Sequence, residues 1–402
     1  MKSITEIYRI GKGPSSSHTM GPHRAAKIFS AKHPEAKSFE VTLYGSIGAT
    51  GHGHMTDVAI LEAMPNTKII WRGDKFLPFH PNGMRFKSFD EEGNVTDDWT
   101  VYSIGGGALA EEGKDSLKGP EVYDMNTLTE ILEYCERSGK GYWEYVQDRE
   151  GPDIWKFLKE VWEVMKAAVE RGIDSEGVLP GPLNLRRKAA SYYVKASGYK
   201  DSMRSRGMTF AYALAVSEEN ASGGRIVTAP TCGSCGVLPG VLYHLWKNKE
   251  FSEARILRAL ATAGLIGNVV KQNASISGAE VGCQGEVGVA CAMAAAAATQ
   301  LFGGSPAQIE YAAEMGLEHH LGMTCDPVCG LVQIPCIERN AYAAARALDT
   351  NVYASFSDGL HRVSFDKVVD VMKQTGHDLP SLYKETAQGG LAKDYSQMKL
   401  DI

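Results

Sequence analysis

Three cysteines carry the strongest chemical signal in this sequence of 402 residues. Cys283, Cys325 and Cys336 each stand in a segment that glycine or proline interrupts, among polar neighbours. Such segments are predicted to be turns or helix ends, which can present a sulfur atom to a ligand. The three cysteines therefore indicate a site for a metal ion or a metal cluster.

The spacing of these cysteines narrows the kind of site. They are 42 and 11 residues apart, too far for a ferredoxin-like run or a compact zinc knuckle, so tertiary folding must bring them together. Three sulfurs without an obvious fourth ligand leave one coordination position open, as in catalytic metal sites. The spacing alone is equally compatible with three buried, unreactive thiols, because free cysteine is among the most buried residue types.

A turn rich in hydroxyl groups is predicted near the N-terminus, between two Gly-Pro pairs. It contains Ser15, Ser16, Ser17, His18 and Thr19. A helix is predicted to follow, so hydroxyls and backbone N–H groups at its start can bind a carboxylate or a phosphate. Simple capping of the helix accounts for one hydroxyl, but not for four hydroxyls with an imidazole.

A second histidine group lies in residues 48–57. It contains His52 and His54, separated and flanked by glycines that let a ligand approach the backbone. Taken alone, this segment is equally compatible with a metal-binding loop and with a solvent-exposed turn.

Charge and hydropathy exclude several classes of partner. The 48 acidic and 42 basic residues give a net charge of -6 with no long run of either sign, so no footprint for nucleic acid or an anionic membrane is expected. The longest apolar stretch, near residues 286–298, is shorter than the ~20 residues that span a bilayer. Residues 1–20 lack the apolar core of a signal peptide. We expect a cytoplasmic protein with a small-molecule substrate.

The first third of the sequence predicts an α/β domain over residues 1–118, because β-branched and aromatic runs alternate with helical segments. The predicted strands and helices cover 39–44, 68–71, 99–104, 23–31 and 56–62. A charged segment with glycine and proline follows, and we assign residues 119–125 to a linker.

Helical periodicity dominates from residue 126 onward and predicts a larger, nearly all-α domain over residues 126–402 that carries the cysteines. The predicted helices include 128–134, 154–168, 210–219, 254–270 and 289–301. The fold class predicted for the whole chain is therefore α+β.

The motifs around the candidate residues resemble those of the bacterial iron–sulfur-dependent L-serine dehydratases, in the single-chain form with fused small and large domains. The resemblance rests on several long segments in the same order and spans nearly the whole chain. These segments are 13–21, 212–225, 228–231, 273–288, 317–322, 324–327 and 335–340.

The resemblance implies a function and a set of site residues. It implies an oxygen-sensitive [4Fe–4S] cluster on Cys283, Cys325 and Cys336 with one iron free, and the conversion of L-serine to pyruvate and ammonia. Histidine is the usual general base, and we assign that role to His18 or His54. The residues expected to bind the substrate are Ser15, Ser16, Ser17, Thr19, Asn273, Ser275 and Ser277. Relatives also imply a homodimer.

The sequence departs from the family pattern in three ways. It carries Cys232, Cys235 and Cys329 where relatives often have other residues, and these thiols could compete for the free iron. Some relatives end in a cysteine that folds back on the cluster, whereas this sequence ends at Ile402 without one, so we expect no such plug. The first domain is also shorter than in some single-chain relatives.

Three other functions fit the sequence less well. A pyridoxal-phosphate dehydratase would need a Schiff-base lysine and a phosphate loop, for which Gly105–Gly107 is too short. A thiol oxidoreductase would rest on the pair Cys232 and Cys235, outside the βαβ pattern typical of such enzymes. A structural zinc module would need a fourth ligand at short spacing. For Glu280 and Glu286 we expect buried ion pairs that shape the loops.

Overall fold

Two hydrophobic cores organise the computed structural model, which describes residues 1–113 and 119–395. The smaller core lies between one sheet and its helices, and the larger core lies within a set of packed helices. Among the described residues, no helix is long and apolar enough to cross a membrane. The predicted α+β fold class is confirmed.

The smaller core is built on a five-stranded sheet in the order β3-β2-β4-β5-β6, with β2 and β3 parallel and the other neighbours antiparallel. Its strands are β2 (Ser38–Tyr44), β3 (Thr67–Arg72), β4 (Gly83–Phe89), β5 (Val95–Ser103) and β6 (Leu109–Ala110). Alternate residues such as Met84 and Phe86 point inward, where Phe29 packs against them. The helices of this part are α1 (Gly21–Lys32), α2 (Gly45–Thr50) and α3 (Thr56–Ala63).

The larger core is helical. Its elements are α4 (Leu128–Ser138), α5 (Tyr142–Glu150), α6 (Ile154–Ile173), α7 (Ala189–Ser197), α8 (Asp201–Ala221), α9 (Val237–Lys249), α10 (Glu253–Asn273), α11 (Gly278–Val281), α12 (Val287–Leu301), α13 (Pro306–Glu318), α14 (Cys336–Phe356) and α15 (Phe365–Asp378). The alanine-rich α12 is buried almost throughout, because its small side chains let neighbouring helices approach closely. A Cβ added at Gly316 on α13 would lie 3.0 Å from the Cα of Ala292 on α12.

The N-terminal segment connects the two parts. Ile4, Ile7 and Tyr8 are buried in the helical core, and β1 (Ile10–Lys12) pairs antiparallel with β7 (Arg225–Val227). The chain enters the sheet only after this pairing. The predicted boundary at residue 118 lies outside the described residues, so the division into 1–118, 119–125 and 126–402 stays a prediction.

Candidate functional site

The three predicted cysteine ligands lie buried at the ends of short elements. Cys283 begins a 3-10 turn, Cys283–Gly285, that leads into α12, and Cys336 is the first residue of α14. Cys325 lies in an extended segment whose N–H group donates to the carbonyl of Tyr383, at 2.8 Å. Cys283 and Cys336 are thus placed at a turn and at a helix end, as the sequence predicted, whereas Cys325 is not.

The pKa values of the three thiols differ. A hydrogen bond from Cys325 and the charge of Arg339 lower the pKa of Cys283 to about 6, although burial acts in the opposite direction. The pKa of Cys325 is raised by that same hydrogen bond and by burial, and burial raises the pKa of Cys336. Thiolates are the form that binds metals, and Cys283 is the thiol of the three whose lowered pKa favours this form.

The separation of the sulfurs bears on the kind of metal group that they could hold. Around one zinc ion with Zn–S distances of about 2.3 Å, sulfurs lie about 3.8 Å apart. Across the described residues, the one group of three such ligand atoms within 4.8 Å of one another is His18, His54 and Glu385. The three sulfurs therefore do not all lie within this distance of one another, although the hydrogen bond between Cys283 and Cys325 places two of them close together. Three buried thiols that approach in this way form a candidate metal site.

Glu286 borders the cysteines from the α12 side. Its Oε1 accepts a hydrogen bond from the Thr231 hydroxyl at 2.7 Å, and its Oε2 lies 3.9 Å from the sulfur of Cys325. Burial, and then the charge of Cys283, raise the pKa of Glu286 well above its usual range. A Cβ at Gly278 would lie 2.6 Å from Oε2, so that glycine is required for the loop to pack here. The ion pair expected for Glu286 is replaced by this hydroxyl contact.

The hydroxyl-rich turn is a short helical segment, Ser16–Met20, capped by Ser15, whose hydroxyl accepts from the His18 N–H group at 3.1 Å. The Thr19 hydroxyl donates to the carbonyl of His54 at 2.6 Å. The Thr56 hydroxyl donates to the carbonyl of His18 at 2.5 Å. These bonds hold the two imidazole rings with their centroids 4.5 Å apart.

His54 has one free ring nitrogen. The Thr50 hydroxyl donates to the carbonyl of Ser46 and so accepts from Nδ1 of His54, at 3.3 Å. That network assigns the ring proton to Nδ1, while Nε2 is buried with no partner among the described residues. Burial lowers the pKa of His54 to about 4, so the ring is neutral at pH 7 and its Nε2 lone pair is available as a base.

His18 has both ring nitrogens occupied. The Ser46 hydroxyl donates to the carbonyl of Glu385 and accepts from Nε2 of His18 at 3.0 Å, while the Ser17 hydroxyl lies 2.8 Å from Nδ1. Burial, and then the nearby His54, lower the pKa of His18 well below its usual range. His18 is therefore a neutral, fixed ring with no lone pair to spare.

Glu385 contacts both His18 and Cys325, and its place in the site was not predicted from the sequence. Its Oε1 lies 3.6 Å from Nδ1 of His18, and its backbone N–H group donates to the carbonyl of Cys325 at 2.8 Å. Burial, and then the charge of Cys283, raise its pKa to about 8. The glycine-bearing segment 384–390 was the one sequence signal that could have indicated a turn here.

The predicted substrate-binding residues near the cysteines differ in whether their polar groups already have hydrogen-bond partners. The Ser277 hydroxyl is buried without a partner in the described part of the chain. The Ser275 hydroxyl donates to Glu280, whose other oxygen lies 3.3 Å from Nε2 of His80. The Asn273 amide donates to the carbonyls of Asn126 and Val269. Ser277 is the residue of the three with a free polar group, and all three assignments stay predictions.

The additional cysteines have different surroundings. Cys232 and Cys235 are buried, and burial raises the pKa of both thiols, the opposite of what a reactive Cys-x-x-Cys pair requires. Cys329 directs its thiol to the carbonyl of Tyr395 at 3.5 Å. Cys135 and Cys291 are buried in the helical core.

Known proteins share this arrangement of domains. The family described as serine dehydratase alpha chain matches residues 94–392, and the family described as serine dehydratase beta chain matches residues 3–67 and 61–114. The chain belongs to the serine dehydratase family. The family predicted from the motifs is thereby confirmed.

Full-length relatives in this family carry the name L-serine dehydratase. The protein of Streptomyces coelicolor is 43% identical over 448 residues, which cover 97% of this chain and 98% of the relative. Those of Haemophilus influenzae and Escherichia coli K12 are each 41% identical over 449 residues, covering 98% of this chain and 99% of the relative. These alignments are longer than the 402 residues of this chain, so the relatives contain segments that it lacks.

Proposed function

We propose that this protein converts L-serine to pyruvate and ammonia. Family membership and the names of the relatives support this activity. The observation that carries the proposal is the meeting of two buried, neutral histidines with three buried cysteines at Glu385. One side can remove a proton from the substrate, and the other can hold a metal cluster.

In this proposal, Cys283, Cys325 and Cys336 hold a [4Fe–4S] cluster. When bound, the cluster supplies a Lewis acid that stabilises the charge on the departing serine hydroxyl. No fourth protein ligand is assigned to the cluster in this proposal.

His54 is the general base in this proposal, and His18 is a positioning residue. Nε2 of His54 takes the α-proton of serine, because it is the histidine nitrogen of the pair that has a free lone pair. A positioned base of this kind contributes about 10²–10⁴-fold to the rate. Loss of the α-proton and of the hydroxyl leaves aminoacrylate, which tautomerises and hydrolyses to pyruvate and ammonia.

Hydroxyl groups on both sides hold the substrate. We assign the carboxylate and ammonium groups of serine to Ser15, Ser16 and Ser17 and to the unpartnered hydroxyl of Ser277. The Thr19 hydroxyl serves the site indirectly, because it is engaged with the backbone of Ser15 and His54. We further propose a cytoplasmic homodimer, as expected from the sequence.

The test is an anaerobic assay of keto-acid release from L-serine, D-serine, L-threonine and L-cysteine, with iron and sulfide measured in the same sample. We expect release from L-serine together with about four irons per chain. Pyruvate formation by a sample without iron or sulfide would contradict the cluster. A cluster-loaded sample inactive on all four amino acids would contradict the reaction.

A further inference from the structure

A cavity of about 490 Å³ lies between α13, α14 and the loop that precedes α15. It shares no lining residue with the histidine and cysteine site. The residues that give it its chemistry are Tyr311, Glu314, Arg346, Tyr353, His361 and Arg362.

Glu314 places a buried carboxyl group in the cavity. Its side chain is 3% exposed and forms no hydrogen bond or ion pair with any residue of 1–113 or 119–395. Burial, and then the charges of Glu318 and Glu310 one turn away on either side, raise the pKa of Glu314 to about 8. Burying a carboxyl group without a partner is costly. A cationic group in the cavity would supply the missing partner.

Two arginines provide the positive end. Arg346 on α14 and Arg362 in the loop line the cavity, and neither side chain forms an ion pair or hydrogen bond within the described ranges. The acidic neighbour Asp349 is already paired with Arg206, at 2.9 Å. A guanidinium group binds a carboxylate through two parallel hydrogen bonds, because its N–H groups match the two oxygens.

Aromatic rings form part of the cavity wall. Tyr311 stacks on His361 with ring centroids 4.2 Å apart, and Tyr353 meets Tyr311 edge-on at 6.1 Å. His361 is fixed through Nε2 by Glu310, whereas its Nδ1 is buried without a partner among the described residues. Rings of this kind pack against apolar groups and attract an ammonium group.

We propose that this cavity binds an α-amino acid, with the ammonium group at Glu314 and the carboxylate at Arg346 and Arg362. A zwitterion supplies a partner to the carboxyl group and to the guanidinium groups, whereas a simple cation or anion supplies a partner to only one of them. The volume and the aromatic wall favour a ligand with an apolar side chain. This inference goes beyond the proposed function and does not depend on it, because the cavity contains none of the proposed catalytic groups.

The experiment measures binding of L-phenylalanine to the full chain by isothermal titration calorimetry. L-phenylalanine has no hydroxyl to eliminate, so it is not consumed by the proposed reaction. We expect a Kd of about 1 mM or tighter, with phenethylamine and 3-phenylpropionate at least ~10-fold weaker, since each lacks one charge. Equal affinity for phenethylamine, or no binding of L-phenylalanine, would overturn the proposal.

Variants locate the ligand. Glu314→Gln and Arg346→Gln should each weaken binding by at least ~10-fold, whereas Glu133→Gln, which removes an exposed carboxylate on α4, should not. Binding should persist in His54→Ala, which separates this cavity from the proposed active site. The use of two cavity variants keeps the test decisive if one of them fails to fold. Unchanged affinity in a folded Glu314→Gln or Arg346→Gln protein would contradict the proposed position.

Discussion

The two sides of the candidate site are organised differently. On the histidine side, hydrogen bonds with Ser17, Ser46, Thr19 and Thr50 fix both histidines and leave one ring nitrogen free. On the cysteine side, three buried thiols share one hydrogen bond, between Cys325 and Cys283. The first side is complete as protein alone, whereas the second is the side that would hold the cluster in the proposed function.

This difference separates two kinds of function. A network that fixes protonation states determines which atom moves a proton, and its loss should change the rate while the cofactor stays bound. A set of thiols determines whether the cofactor binds, so the loss of a thiol should remove both the bound cofactor and the activity. Changes on the two sides should therefore be distinguishable by measuring iron and turnover in the same sample.

The largest effect is expected on the cysteine side. Cys283→Ala removes the thiol with the lowered pKa, so bound iron, sulfide and pyruvate formation should all fall to background. The matched control is Cys291→Ala, which removes another buried thiol from α12 outside the group of three. Iron and absorbance spectra of anaerobically prepared protein provide the measurement. Wild-type iron content in Cys283→Ala would exclude this residue as a ligand.

A large effect with the cluster intact is expected for His54. His54→Gln removes the free base nitrogen, so kcat should fall about 10²–10⁴-fold while iron content remains unchanged. Exchange of the α-deuterium of labelled serine is the direct measurement. His52→Gln is the matched control, because His52 is exposed beside the same turn. If His54→Gln exchanged deuterium at the wild-type rate, the base would have to be another residue.

A smaller effect is expected from the network behind the rings. Ser46→Ala removes the hydroxyl that joins His18 to the carbonyl of Glu385, at a cost of about 1 kcal/mol, or a fivefold lower kcat. Ser30→Ala, on α1 outside the site, serves as a control. The measurement is kcat and KM at constant iron content. A change in KM alone would show that Ser46 contacts the substrate rather than positioning His18.

The smallest effect is expected from pH. Because burial lowers the pKa of His54 to about 4, its base form persists as the pH falls through 6.5, where an ordinary histidine is half protonated. The rate of α-deuterium exchange should therefore change little between pH 7, which lies below the pKa of about 8 of Glu385, and about pH 5.5, and should decline only as the pH approaches 4. A midpoint near 6.5 would show that the base is not a buried, neutral His54.

The sequence predicted elements best where apolar residues recur without interruption. The strand β2 and the helices α6, α10 and α12 lie within a few residues of the predicted ranges, because each has a continuous buried face. The strand β4 was missed, since Arg85 and Lys87 on its outward face conceal the alternation of Met84 and Phe86. A local sequence pattern thus predicts an element with a continuous buried face more readily than a strand with one exposed face.

The candidate site was predictable in part. The motifs identified His18, His54 and the three cysteines, which the fold brings into one region around Glu385. Glu385 itself could not be predicted, because it reaches the site through a parallel bridge between Cys325 and Lys384, a pairing of distant residues that no local pattern encodes. The sequence also could not predict that both ring nitrogens of His18 form hydrogen bonds, since one of these bonds depends on Ser46.

The bridge between Cys325 and Lys384 has a consequence for the order of synthesis. Chains are made from the N-terminus, so His18 and His54 are available first, the cysteines follow, and Glu385 emerges after all three. Until residue 385 is made, Cys325 lacks the backbone partners that Tyr383 and Glu385 give it in the folded protein. The pairing of this segment with Cys325 is therefore one of the last contacts of the site that can form during synthesis.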